Sequence, residues 1–420
     1  MPDLSTTLRS LRNPNYRLFF GGQAASLTGM WLQLTAQSWL IYRLTGSAAA
    51  VGVVTFAMQG PGLFLGPLAG ALADRYDKRR ILVLAQASST IPALLLGLVT
   101  LSGRVEPWHI ILLAFLSGLT RAFEIPTRQS FIAELVERRD LSNAIALNSA
   151  LFNGARLIGP AIAGVLIPTV GEAWCFLANA ISYAAIVGAL IALRLPRFEP
   201  PPRGDTSIAA EIGEALRYVR GQPAMLGLFG SLSVSAVAGM PYTVLLPSFA
   251  SRMLGGGPET FSYLQIAVGL GSIVGALALA SKAHVLGLER WVVGAGFFFG
   301  ICLVAISLTR SVTFAVLALI PTGLFFMVQM ATTNTLFQTL APNALRGRIM
   351  SFHTSAFLGL FPIAGLLAGV LADRFGEAAV LAGGGVVVSA GAIVFGRVTL
   401  RHAPGALSAA VASSDSRPSS

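Results

Sequence analysis

One charged interruption between two apolar runs sets the architecture of the chain: Gly66-Pro67-Leu68-Ala69-Gly70-Ala71-Leu72-Ala73-Asp74-Arg75-Tyr76-Asp77-Lys78-Arg79-Arg80. The first apolar run stops at Asp74, and four cations follow within six residues. A short cationic turn between two membrane-spanning helices lies on the cytoplasmic side, because positive charge is retained there. Gly62, Gly66 and Gly70 recur every fourth residue, so we expect one helix face that lets a neighbouring backbone approach closely.

The composition is that of a membrane protein. Hydrophobic residues make up 54% of the 420 residues and charged residues only 11%, against about 25% charged in soluble domains. The net charge of +11 does not indicate nucleic-acid binding, because the cations lie between apolar runs and control topology. The two cysteines, Cys175 and Cys302, have no metal-ligand or redox spacing. We expect no cofactor and no metal site.

Twelve apolar runs reach the length of about 20 residues that a membrane span needs. The predicted spans are 18–41, 48–72, 81–101, 108–123, 144–168, 173–193, 224–249, 260–280, 291–308, 312–331, 351–372 and 377–397. With the N-terminus inside, 23 of the 29 Lys and Arg residues fall on the cytoplasmic side and 5 outside. This bias predicts an all-α, polytopic protein of the bacterial inner membrane with both termini in the cytoplasm.

An internal repeat divides the chain into two halves. A shift of 205 residues maps Gly66 onto Gly271, Gly70 onto Gly275 and other glycines onto glycines in later spans. Chance matching in Gly- and Ala-rich helices is the alternative, but one shift serves two distant segments and favours duplication. Two pseudo-symmetric six-helix bundles place a substrate cavity at their interface.

The predicted domains follow from these halves. They are a cytoplasmic N-terminal tail (1–17), a first bundle (18–193), a cytoplasmic linker (194–223), a second bundle (224–400) and a disordered cytoplasmic tail (401–420). Within the linker, Ile212, Leu216 and Val219 recur at helical spacing and predict a short amphipathic surface helix.

The pattern Gly70-x-x-x-Asp74-Arg75-x-x-x-Arg79-Arg80 resembles the loop motif between the second and third helices of the major facilitator superfamily. That motif usually has a glycine before its last cations, where this chain has Asp77 and Lys78. The Asp variant is similar to the drug and siderophore exporter branch, which includes macrolide efflux proteins and the enterobactin exporter. The resemblance implies that the loop residues Gly66, Gly70, Asp74, Arg75, Arg79 and Arg80 act in gating. In the family the acid interacts with the cytoplasmic end of the eleventh helix, and its repeat partner here is Leu279.

The fifth predicted helix carries a second part of the resemblance. Gly159, Pro160 and Gly164 match the family's antiporter motif, while Ala155 and Ala163 replace two of its glycines. Small residues replace small residues, so close packing is kept although the strict signature is not.

Arg156 is a candidate cavity residue because a charge at mid-membrane costs at least about 2.5–3.5 kcal/mol. Ser149, Asn153, Arg156 and Pro160 share one helix face at steps of four, three and four. Arg156 then binds substrate or acts on a nearby carboxyl group. The alternative is a structural arginine that hydrogen-bonds to carbonyl groups between the two halves.

The first helix carries a polar stripe at steps of three and four, formed by Gln23, Ser26, Met30, Gln33 and Gln37. Polar groups within the hydrocarbon point inward, since lipid offers them no partners. These residues either line the substrate cavity or hydrogen-bond between helices. Trp31 is a candidate for stacking on an aromatic or lipophilic substrate, with packing as its alternative, and Gln329 completes the candidate cavity set.

Acids are scarce within the predicted spans, which limits the residues that could carry a proton. Glu124 follows Arg121 by three positions on the fourth helix, and the two are the proton-coupling candidates. A structural ion pair of Glu124 with Arg121 or Arg128 at the membrane edge is the alternative.

The resulting hypothesis is a monomeric secondary transporter that uses the proton motive force to export a small lipophilic or amphipathic compound of the drug, macrolide or siderophore class. A proton-coupled importer of a nutrient or sugar remains open, because direction rests on the resemblance alone. A membrane enzyme is disfavoured, since no convergent nucleophile, base or paired carboxylates occur within the spans.

Overall fold

The computed structural model describes residues 8–195, 208–281, 287–342 and 345–415, and every regular element within them is helical. A 3₁₀ turn (Arg9–Arg12) precedes the first bundle. Its six helices are α1 (Pro14–Thr45), α2 (Ala48–Arg75), α3 (Lys78–Leu101), α4 (Pro107–Leu135), α5 (Leu141–Val170) and α6 (Glu172–Ala192).

The second half contains shorter pieces. Its helices are α7 (Ile208–Arg220), α8 (Pro223–Val234), α9 (Tyr242–Ser248), α10 (Pro258–Ala280), α11 (Leu288–Ser307), α12 (Val312–Leu340), α13 (Arg346–Leu358), α14 (Leu360–Phe375) and α15 (Glu377–Asp415). A π-helical turn, Ser235–Gly239, interrupts the seventh predicted span, and a second, Phe249–Met253, begins at its last residue.

Ten segments of the described chain are long and apolar enough to cross a membrane. α1 is long enough at 32 residues but carries buried glutamines, and the eleventh span is divided into α13 and α14 at Gly359. With these two included, the prediction of an all-α polytopic protein with twelve membrane helices is confirmed.

The chain separates into two compact units. Unit 1 comprises Met1–Arg203 and Ala250–Ile266, and unit 2 comprises Gly204–Phe249 and Ala267–Ser420. In unit 1, α1 packs on α5 and α6, α2 on α4, and α3 on α4 and α6. In unit 2, α15 packs on α8 and α11, and α11 packs on α12. The second stretch of unit 1 comprises most of the second π-helical turn and the start of α10.

Three helices continue well past their expected ends, among them α12, which runs to Leu340 rather than 331. α4 runs to Leu135 rather than 123, and α15 runs to Asp415 where a disordered tail was expected from 401. In α15, Ala403 and Leu407 are fully buried in an apolar cluster with residues of α8 and α12. Burial of this face, together with the high helix propensity of alanine, keeps the segment helical.

The linker helix α7 packs into the same cluster through Ala215 and Val219. Leu216 is 38% exposed, and the side chain of Ile212 lies outside the described part of the chain. The apolar residues of α7 are therefore partly packed against the rest of the second unit and partly exposed.

The glycines of the internal repeat differ between the two units. A Cβ added at Gly271 would overlap the carbonyl oxygen of Ile320, and one at Gly275 would lie 2.6 Å from that of Leu324, so α10 and α12 are in backbone contact. Among the described residues, none lies within 4 Å of a Cβ built at Gly62, Gly66 or Gly70. The expected close approach at these three glycines is therefore not observed.

Candidate functional site

A small polar pocket lies inside unit 1. Its volume is about 20 Å³, enough for one buried water molecule. Its walls come from α1, α3, α4 and α6, and the lining residues are Gln23, Ser26, Leu27, Met30, Gln86, Ser89, Arg121, Glu124 and Tyr183. Two of the predicted cavity residues and both proton-coupling candidates thus line the same pocket.

Hydroxyl groups connect the pocket walls. The Ser26 hydroxyl donates to Gln86 Oε1 over 3.5 Å, which links α1 to α3. The Ser89 and Thr120 hydroxyls lie 2.7 Å apart, which links α3 to α4. Because the backbone of each helix is already paired, these side chains supply the polar surface that a water molecule or proton needs.

Glu124 forms a buried ion pair with Arg128, one turn further along α4. Arg128 Nε lies 2.6 Å from Glu124 Oε1, and the two side chains are only 8% and 13% exposed. Since α4 continues to Leu135, the pair lies inside the helix and not at the end predicted for the fourth span. Arg121 lines the same pocket as Glu124 and brings a second cation to it.

Further along α1, amide groups hydrogen-bond to neighbouring helices. Asn179 Nδ2 donates to Gln33 Oε1 over 2.6 Å, and the Ser182 hydroxyl donates to Asn179 Oδ1 over 2.9 Å. Gln37 Nε2 donates to the Ile110 carbonyl over 3.5 Å. Gln33 and Gln37 therefore make the inter-helix bonds that the alternative interpretation requires.

Arg156 lies against an aromatic pair. Its guanidinium carbon is 5.8 Å from the centre of the Trp31 ring, within the range of a cation–π contact. The Phe152 ring meets Trp31 edge-on, with centroids 5.8 Å apart. The indole nitrogen of Trp31 is buried, and no described residue accepts its hydrogen.

Small residues of α5 bring this helix close to its neighbours. A Cβ added at Gly159 would lie 2.5 Å from Trp31 Cβ, and one at Gly164 would lie 2.7 Å from Ser262 Cβ. Pro160 is buried within α5. Asn153 donates to the Ser149 carbonyl of its own helix over 2.9 Å.

Gln329 belongs to unit 2 and lies in its interior. It is 1% exposed, and its Nε2 donates to the Ser231 hydroxyl over 3.1 Å. Its Oε1 accepts from the Ser235 hydroxyl over 3.0 Å. Both functions of the amide are thus occupied within unit 2.

The cationic loop after α2 is anchored to unit 1. Asp77 caps α3 by accepting from the backbone nitrogens of Arg79 and Arg80. Arg79 Nε donates to the Leu190 carbonyl over 2.7 Å at the end of α6. Lys78 pairs with Glu134, while the side chain of Asp74 lies outside the described part of the chain.

Sequence reasoning missed the pocket residues Gln86, Ser89 and Tyr183, and it also missed Asn179, which hydrogen-bonds to Gln33. Gln86 and Ser89 stand three positions apart on α3, and Asn179 and Tyr183 stand four apart on α6. The same polar spacing that identified the α1 stripe could have found these faces.

Solved structures of transporters share this fold. The nucleoside transporter NupG gives a TM-score of 0.69 at 14% identity, covering 91% of this chain and 98% of its own. A bacterial homolog of the human lysosomal transporter Spinster gives 0.63 at 15% identity, covering 99% of each. The chain therefore shares the fold of these transporters.

The chain belongs to the transmembrane secretion effector family, whose model matches residues 5–418. The staphyloferrin A transporter of Staphylococcus aureus is 27% identical over 86% of this chain and 90% of its own. The multidrug efflux pump Tap of Mycolicibacterium fortuitum is 26% identical over 87% and 90%. The enterobactin exporter EntS of Shigella boydii is 28% identical over 82% of each chain. Membership of the drug and siderophore exporter branch is therefore confirmed, and the chain is a multi-pass efflux transporter.

Proposed function

We propose that the chain exports small amphipathic molecules from the cytoplasm in exchange for protons, as a monomer that alternates its access. Its relatives include proteins named as a staphyloferrin A transporter, a multidrug efflux pump and an enterobactin exporter. The single observation that supports proton coupling is Glu124, a largely buried carboxylate whose side chain is 13% exposed, in a small pocket with several polar side chains.

The ion pair gives protonation of Glu124 a structural consequence. A proton on a carboxylate oxygen removes the negative charge that compensates Arg128. A buried cation that loses its partner is strongly destabilised, by about 3–5 kcal/mol when the partner is deleted. Rearrangement of α4 and its neighbours relieves this cost, so proton binding at Glu124 favours a different conformation of unit 1.

The proposed orientation keeps both termini in the cytoplasm. Arg121 and Arg128, counted among the cytoplasmic cations, belong to α4. The cations that remain in the loops and tails still outnumber those on the opposite side about fourfold by the positive-inside rule.

The loop after α2 supplies the proposed gate, with Asp74 as its acid and Arg75, Arg79 and Arg80 as its cations. The anchoring of Arg79 to the end of α6 fixes the loop to unit 1, so the loop would move with this bundle. Asp74→Asn should increase the labelling of a cysteine probe placed at the cytoplasmic side; unchanged labelling contradicts the gating role.

Glu124→Gln tests the coupling. The purified protein is placed in liposomes that contain pyranine as a proton reporter, and acidic, neutral and basic fluorescent amphiphiles are offered. Glu124→Gln should abolish both transport driven by a pH gradient and the accompanying proton flux. The control is Glu137→Gln, whose carboxylate is 68% exposed and pairs with Arg139 on the surface.

Two results would refute parts of the proposal. If Glu124→Gln shows the same proton flux and transport as the parent chain, the ion pair has only a structural role. Everted vesicles decide direction, because an exporter accumulates its cargo when the lumen is acidic, whereas a nutrient importer does not.

A further inference from the structure

The charges inside unit 1 are unequal. Among its described membrane helices α1–α6, the charged residues more than five positions from a helix end are Arg121, Glu124, Arg128 and Arg156. Three arginines thus accompany one glutamate, and that glutamate pairs with Arg128. Because charge at this depth is costly, the excess of cations favours an anion as the molecule that enters.

One of these cations, Arg156, lies against the aromatic pair Trp31 and Phe152. The Trp31 ring holds the Arg156 guanidinium at 5.8 Å, and Gly159 lets α5 approach Trp31 closely. A guanidinium carries its N–H donors in its own plane, in a fork that matches the two oxygens of a carboxylate.

A second donor at this place needs an acceptor. The buried indole N–H of Trp31 has no acceptor among the described residues, and buried donors in proteins are ordinarily satisfied. A bound carboxylate supplies acceptor oxygens to the indole and to the guanidinium together. Phe152 contacts Trp31 and is 36% exposed, so it offers an apolar surface beside these donors.

We infer that Arg156, Trp31 and Phe152 form the anion-binding part of the cargo site, and that the cargo is a carboxylate-bearing amphiphile with an apolar or aromatic body. This inference rests on the proposed transport function and narrows its cargo. Lipophilic cations are disfavoured, because they would lie beside the positive charge of the Arg156 guanidinium.

The test compares three probes with one body and different head groups: 1-pyrenebutyrate, 1-pyrenebutanol and 1-pyrenebutyltrimethylammonium. Binding to the full-length protein in detergent is followed by energy transfer from tryptophan to pyrene, with protein-free micelles subtracted. We expect the acid to bind at least about tenfold more tightly than the alcohol and the cation, as one charge-assisted hydrogen-bond pair provides.

Arg156→Gln should remove this preference for the acid while binding of the alcohol is kept, and Arg156→Lys should keep part of it. Trp31→Phe should weaken binding of the acid more than that of the alcohol, because it removes the N–H donor but keeps a ring. The matched control is Arg104→Gln, at an exposed arginine in the loop after α3, and it should bind all three probes as the parent does.

Equal or tighter binding of the cationic probe overturns the inference, as does an unchanged preference for the acid in both Arg156 variants. Retained binding of the alcohol distinguishes a lost anion site from a misfolded protein. Transport in liposomes separates the two proposals. Selective acid binding without proton-driven transport refutes the proposed function only, whereas proton-driven transport of the cation refutes this inference only.

Discussion

The packing of α1 on α6 makes Gly29→Ala a decisive perturbation of unit 1. A Cβ at position 29 would overlap the Ser182 hydroxyl and lie 2.6 Å from Asn179 Oδ1. Those two groups are hydrogen-bonded to each other, and Asn179 also donates to Gln33. The added methyl group therefore separates the helices and disturbs a buried polar chain at the same time.

The magnitude follows from these two effects. Overpacking a tight contact costs about 1–3 kcal/mol, and a buried amide oxygen left without its donor costs about 1–3 kcal/mol. The effects share one displacement and do not add fully, so we expect a loss of about 2–4 kcal/mol. For a unit of this size the melting temperature should fall by roughly 5–15 °C.

Gly21→Ala is the matched control on the same helix. No described residue lies within 4 Å of a Cβ at Gly21, so alanine there should be neutral or stabilise by up to about 1 kcal/mol. Unfolding in detergent is followed with a thiol-reactive dye, because Cys175 is buried in unit 1. If Gly29→Ala melts at the same temperature as the parent, or if Gly21→Ala lowers the melting temperature equally, the close contact of α1 with α6 at Gly29 is refuted.

Two further predictions concern unit 2. Gly271→Ala forces a methyl group onto the Ile320 carbonyl and should lower the yield of folded protein in a size-exclusion profile. The control Gly294→Ala, in open space on α11, should leave the yield unchanged. Equal profiles of the two variants would contradict the contact of α10 with α12. Truncation after Arg401 removes the buried Leu407 and should lower the melting temperature by several degrees, since burial of a leucine contributes about 1.5–3 kcal/mol; an unchanged melting curve would mean that the end of α15 adds no stability.

The fold can be predicted from the sequence, because the apolar runs show directly which segments can cross the membrane and the cationic loops show which side they lie on. The end of α4 could not be predicted in this way, and the reason is physical. Glu124 and Arg128 interrupt the apolar run and predict a membrane boundary, yet at a spacing of four they neutralise each other within one helix. Paired charges are less costly than isolated ones, so the helix continues through them.

The candidate site is predictable only in part. Gln23 and Met30 emerge from the stripe on α1, and Glu124 emerges as the scarce acid. The polar spacing on α3 and α6 could have indicated the faces of Gln86 and Tyr183, but only the packing of these two helices brings both residues to the pocket. The prediction of a disordered tail at the end of α15 was wrong for a similar reason. The Ala- and Ser-rich composition does not indicate which residues of other helices bury Leu407.

One helix joins the two proposed binding events. Met30 lines the pocket that contains Glu124, and the next residue, Trp31, lies against Arg156. Consecutive residues on a helix point about 100° apart, so any shift of α1 that changes one site changes the other. Binding linkage is reciprocal: if a carboxylate at Arg156 alters the proton affinity of Glu124 by some factor, protonation alters the affinity for the carboxylate by the same factor. α1 therefore links the proposed anion site to the proposed proton site within unit 1, whereas in unit 2 the buried amide of Gln329 is hydrogen-bonded to two serines.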